Sequence, residues 1–166
     1  AGMVEEAGHI FEEVEHWQEA LEAYTASGDL AGQARCYLAL DRIEPALPLL
    51  EALEDWHGLA SCLERLKRLD EAADVWDRAG RPYEAAMVYI RTGKLSKAAD
   101  RFTAAGQNTA AAELWIERQD YLRAATAYLR AGNLAERARC FERHGALRTA
   151  AGWYERACLP EETERV

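Results

Sequence analysis

The sequence predicts an all-α solenoid of about twelve short antiparallel helices, or six helical hairpins, and three observations carry that expectation. The first is a period. A glycine, or a small or polar stand-in, returns every thirteenth residue without insertion: Gly28, Asp41, Glu54, Lys67, Gly80, Gly93, Gly106, Gln119, Gly132 and Gly145. The second is what travels with it. Six residues after each comes Ala or Leu, from Ala34 and Leu47 to Ala138 and Ala151, and nine residues after each comes a bulky apolar residue, from Tyr37 through Trp76, Tyr89 and Trp115 to Tyr154. The third is angular. With the glycine position called slot 0, apolar residues fill slots 2, 5, 6, 9 and 12, as in Leu69, Ala72, Ala73, Trp76 and Ala79. At helical spacing these lie within about 120° of one another, a core-facing stripe. A fixed short period is the mark of a repeat architecture.

One continuous helix does not fit. Thirteen residues make about 3.6 turns, so the stripe would rotate by roughly 220° per unit and no seam would survive. Slot 0 instead suits a left-handed residue that ends one helix before the next begins. Each unit is then a helix of about ten residues, marginal alone in water, that must bury its stripe on its neighbours. Such short turns force consecutive helices to run antiparallel.

The units start near residues 2, 15, 28, 41, 54, 67, 80, 93, 106, 119, 132 and 145, and a thirteenth begins at Cys158. Running the frame backwards catches Tyr24 and Phe11 in the first two. Asp29, Asp55, Asp120 and Asn133 at slot 1 are N-cap residues for the helices that follow them. The unit at 41 carries Pro45 and Pro48, which predict a helix that starts late. Pro82 at slot 2 fits a first helical turn, and Pro160 falls in the same slot. The unit at 106 breaks the pattern: Asn108 holds slot 2, Arg118 holds slot 12, and Arg101 just before it holds slot 8. Three polar groups at core-type positions predict a kink, a local opening or a recognition spot. Terminal repeats of a complete solenoid carry polar caps. Neither end shows one, so residues 1–166 read as a single repeat domain, a fragment of a longer protein, with Ala1-Gly2 before Met3 a candidate cloning remnant.

Gly93-Lys94-Leu95-Ser96-Lys97-Ala98-Ala99-Asp100-Arg101-Phe102-Thr103-Ala104-Ala105 resembles the second helix of the tetratricopeptide-type repeat, with Leu95 in its first aromatic slot. Gly132-Asn133-Leu134 with Phe141, and Gly80 with Ala85 and Tyr89, resemble it too, so the similarity covers nearly the whole chain. The resemblance implies a right-handed α–α superhelix that binds other proteins, in a regulatory or assembly role. That family repeats near 34 residues and alternates two helices. Here one motif serves every helix.

Composition narrows the class. Hydrophobic content of 49% with a mean hydropathy of −0.38 describes a soluble chain, and no apolar run approaches the roughly 20 residues of a membrane span. Residues 1–60 carry thirteen acids against Arg35 and Arg42, a net −11, while residues 61–166 carry +2, so the whole of the net charge of −9 arises there. This acidic third opposes nucleic acid and would attract a basic protein surface. Glu12, Glu13, Glu15, Glu19 and Glu22 are its candidate docking residues, and Arg101, Asn108 and Arg118 are a second candidate spot.

Nothing points to catalysis. Cys36, Cys62 and Cys140 share slot 8, beside the apolar stripe, and read as small core residues in a reducing cytoplasm. The four histidines fall in four different slots, so no metal or other cofactor is expected. Arg65, Arg78, Arg91, Arg130, Arg143 and Arg156 at slot 11 complement helix C-termini. The expected function is a non-enzymatic protein-interaction scaffold within a larger regulatory or assembly protein. The Ala, Arg and Leu richness fits a GC-rich bacterial genome. A structural spacer that self-associates through the solenoid ends is the competing reading.

Overall fold

The computed structural model describes residues 2–165 and places thirteen α-helices among them. They are α1 (Gly2–Glu13), α2 (Trp17–Ser27), α3 (Leu30–Ala39), α4 (Ile43–Ala52), α5 (Trp56–Arg65), α6 (Leu69–Arg78), α7 (Pro82–Arg91), α8 (Leu95–Ala104), α9 (Asn108–Glu117), α10 (Tyr121–Arg130), α11 (Leu134–Arg143), α12 (Leu147–Arg156) and α13 (Pro160–Arg165). Every helix from α2 onward starts at slot 2 of its unit, and α3 to α12 are ten residues each.

The joints explain this regularity. All twelve slot-0 residues from Glu15 to Cys158 have positive φ, between 54° and 86°. The next residue's N–H then donates back to the carbonyl of the bulky slot-9 residue. Examples are His16 to Phe11 at 2.8 Å, Lys94 to Tyr89 at 2.8 Å and Leu159 to Tyr154 at 3.0 Å. This is the long hydrogen bond of a Schellman motif, which satisfies an otherwise orphaned helix-end carbonyl. Six of these positions are not glycine: Glu15, Asp41, Glu54, Lys67, Gln119 and Cys158. A side chain there costs roughly 1–2 kcal/mol, so packing on both sides of the joint, rather than local preference, holds them.

The four expected N-caps all accept backbone N–H bonds: Asp29 from Ala31 at 2.9 Å, Asp55 from Gly58 at 2.9 Å, Asp120 from Arg123 at 3.1 Å and Asn133 from Glu136 at 3.2 Å. The late start expected after Asp41 is not found. Helix α4 begins on the frame at Ile43, with Pro48 inside it. Pro45 stands in the first turn, where no N–H is needed. Pro48 faces solvent while Ile43, Ala46 and Leu50 are buried, so that stripe offsets the one hydrogen bond Pro48 forgoes.

The chain divides into two compact units, one through Val75 and one from Trp76 onward. In the first, α1 to α5 pack each on the next; in the second, α7 to α13 do the same. Slots 5 and 6 lie at the centre of the buried stripe, and alanines fill most of them with no exposed surface: Ala72, Ala73, Ala85, Ala86, Ala98, Ala99, Ala111 and Ala112. The slot-9 side chains then fill the space between helices. Tyr24 and Tyr154 are fully buried, and Tyr89, Trp115, Tyr128 and Phe102 are nearly so. The expected kink in the unit at 106 is absent, because α9 runs on the frame from Asn108 to Glu117 with the common joint at each end.

Candidate interaction surfaces

In the first unit, the acidic residues split into engaged and free groups. Glu12, at the end of α1, accepts hydrogen bonds from Nε of Arg35 at 2.7 Å and Nη2 at 3.0 Å, and also from the Tyr24 hydroxyl at 2.5 Å. The Tyr24 oxygen lies 3.0 Å from Nδ1 of His9. The Arg35 bonds hold the Glu12 carboxyl down at about 2. Burial, and then Glu12, push the Tyr24 phenol up to about 12. Glu12 is therefore a tie between α1, α2 and α3. Glu13, Glu15 and Glu22 are exposed, and Glu19 stands 3.7 Å from Nδ1 of His16. The same unit exposes the apolar residues Met3 and Ile10 on α1 and Val14 in the turn after it. Val14 lies between the exposed Glu13 and Glu15 in sequence, and Ile10 lies three residues before Glu13.

In the second unit, Arg101, Asn108 and Arg118 occupy distinct environments. Arg101 bonds Asp77 at 2.7 and 2.8 Å, which lets a cation occupy a slot that holds Val75 and Val88 in other units. Asn108 begins α9 half-buried, and Arg118 caps its other end, exposed, about 15 Å away along a ten-residue helix. The Arg101–Asp77 tie repeats a theme of the first unit, where Arg35 meets Glu12 and Arg65 meets Asp41 at 2.6 Å. Each arginine reaches back 23 or 24 residues, to the second helix before its own or to the turn that follows that helix.

A further residue escaped the sequence reading. Arg137 holds slot 5, which is a fully buried alanine at Ala20, Ala46, Ala72, Ala85, Ala98, Ala111, Ala124 and Ala150. The frame itself carried the signal, since an arginine in an alanine slot breaks the rule more sharply than Asn108 does. Its guanidinium lies over Trp153, 4.1 Å from the ring centre, and Arg156 lies 4.6 Å from the same ring. Eight arginines face four acids between residues 118 and 157, so this stretch is basic.

The buried slot-8 thiols behave as core. Cys36, Cys62 and Cys140 are free and enclosed, and burial pushes Cys140 up to about 11, while Cys158 is exposed. Among the described residues, no group of three or more His, Cys, Asp or Glu side chains is placed to hold a metal ion. Among them, too, no helix is long and apolar enough to cross a membrane.

No protein-family model matches the chain. No curated protein matches it either. Among solved structures, it is similar to one from Podosopora anserina described as nearly identical TPR-like repeats of a kinesin light chain. The identity is 18% and the TM-score 0.37, over 99% of this chain and 96% of that one. At that TM-score the similarity adds nothing to the packing described above. That packing, one short helix laid on the next within each unit through alanine slots and closed by a common joint, is an all-α helical repeat.

Proposed function

We propose that the chain is a non-enzymatic protein-interaction scaffold: one helical-repeat domain within a larger regulatory or assembly protein of the bacterial cytoplasm. In this reading, the first unit docks a protein with a basic surface. The observation that carries it is the pairing, on α1 and the turn after it, of exposed Ile10 and Val14 with exposed Glu13 and Glu15. Apolar contact gives such a surface its affinity, and the charge gives it rate and selectivity. Glu12, bound by Arg35 and Tyr24, contributes by holding α1 in place rather than by meeting the partner. Arg101 plays the same part in the second unit, leaving exposed Arg118 and half-buried Asn108 as its candidate contacts. No cofactor is required.

The test is affinity capture from the native source with this chain. A variant carrying Glu13→Gln, Glu15→Gln, Glu19→Gln and Glu22→Gln serves as comparison. A partner held at low salt by the wild type, and lost with the variant, supports the reading. Equal capture by both overturns it. Light scattering across concentration separates the competing spacer reading, in which the exposed apolar face of α1 pairs with another copy.

A further inference from the structure

The second unit places two cations on one aromatic ring and, among the described residues, pairs neither with a carboxylate. Arg137 on α11 and Arg156 on α12 both lie on the Trp153 indole, which puts the guanidiniums within about 9 Å of each other, where like charges repel. The Phe141 ring lies 5.4 Å from Arg137. Arg137 reaches the Ala125 carbonyl only at 3.3 Å, and its Nε is enclosed without any partner. Buried donors are otherwise paired with protein, water or an ion, so an orphaned one needs an explanation. Burial, and then Arg156, hold the Arg137 side chain below its ordinary range.

The rest of the protein treats arginines at helix contacts differently. Arg35 has Glu12, and Arg101 has Asp77. Arg137 takes the place of an alanine and receives no acid in return. Arg156 also walls an open cleft of about 440 Å³ that the joint before α11 shares with the end of α12. The walls mix apolar Leu134 and Ala157 with Asn133 and Arg156.

We propose that Arg137 and Arg156, set on Trp153, form a binding site for the carboxylate of an acidic peptide segment that has an apolar residue beside the acid. The exposed Arg156 offers its N–H edge from the wall of the cleft, the geometry that takes a carboxylate in two parallel bonds, while Arg137, held against Trp153 and the Ala125 carbonyl, adds its positive charge from within about 9 Å. The carboxylate also removes the repulsion between the two cations. Leu134 and Ala157 offer the neighbouring apolar residue a place. This site lies on different helices from the acidic surface of α1 and carries the opposite charge, so it stands or falls independently of that reading.

The experiment is calorimetric titration of the full chain with the acetylated, amidated peptide Gly-Glu-Leu-Glu-Gly. The Gln-for-Glu peptide and inorganic phosphate are titrated in parallel. Wild type is expected to bind the Glu peptide, more weakly as salt rises, and not the Gln peptide. Arg156→Gln, at an exposed and unpaired position, keeps the fold and weakens binding at least tenfold; Arg137→Met keeps the side-chain stem and does the same. Circular dichroism checks both folds. The proposal is overturned by absence of peptide binding at millimolar concentration, by binding of phosphate but not peptide, or by undiminished binding in both variants.

Discussion

Gly32→Ala adds a single methyl group to α3, and the structure says where it lands. An ideal Cβ at residue 32 would sit 2.4 Å from Cγ of Tyr24, 2.5 Å from Cδ1 and 2.6 Å from Cδ2. Those are contacts that real Cβ atoms do not make. The ring cannot step aside. A Cβ at Gly8 on α1 would already be 2.7 Å from Cε1, and the hydroxyl is held by Glu12 and close to His9. Relief must therefore come from moving α3 off α2. Overpacking of this kind costs typically 1–3 kcal/mol, set against a gain of at most roughly 0.5–1 kcal/mol for replacing a glycine in the first turn of a helix. The net expectation is a loss of about 1 kcal/mol or more. Gly152→Ala is the internal control: it is also helical, midway along α12, but nothing lies within 4 Å of its added Cβ. It should stabilise by about 0.5–1 kcal/mol. Urea titration followed by circular dichroism, with the two variants side by side, reads both signs. Equal stabilisation by the two would refute the placement of Tyr24 between the two glycines.

The Arg35–Glu12 tie predicts a pH dependence. Glu12 drops from an ordinary 4.5 to about 2 on folding, so its contribution is present above pH 4.5 and fades as pH falls toward 2. Arg35 is half exposed, and screening reduces the benefit to about 1–2 kcal/mol. Arg35→Ala should therefore cost most at pH 7 and progressively less at pH 3, checked by urea midpoints; a pH-independent cost would dismiss the pairing. Tyr89→Ala, at 2% exposure, should cost on the order of 3–5 kcal/mol, and an unchanged melting temperature would undo the thirteen-residue frame. A thiol reagent should label only Cys158 rapidly in the native protein, with Cys36, Cys62 and Cys140 reacting on unfolding; mass spectrometry of the modified chain tells the two outcomes apart.

The repeat determined most of the fold, because a helix boundary is a local event. Slot 0 followed by an N-cap such as Asp29 or Asp55 is legible in a few residues, and the slot-5, 6 and 9 stripe defines the buried face without reference to any partner. That is why α2 to α13 start where the period places them. Where local rules predicted irregularity, neighbours overrode them. Packing carries α4 through Pro48, and Asp77 accommodates Arg101 in an apolar slot. Charge composition likewise located an acidic third, but it could not distinguish Glu12 from Glu13. They are adjacent in sequence, yet only Glu12 has Arg35 and Tyr24 brought to it, from 23 and 12 residues away. The pairing of Arg137 and Arg156 on Trp153 was equally invisible, since it joins side chains of two helices at the end of long, flexible stems. Period and polarity are properties of consecutive residues. Which charge is neutralised is decided only when helices distant in sequence are packed together.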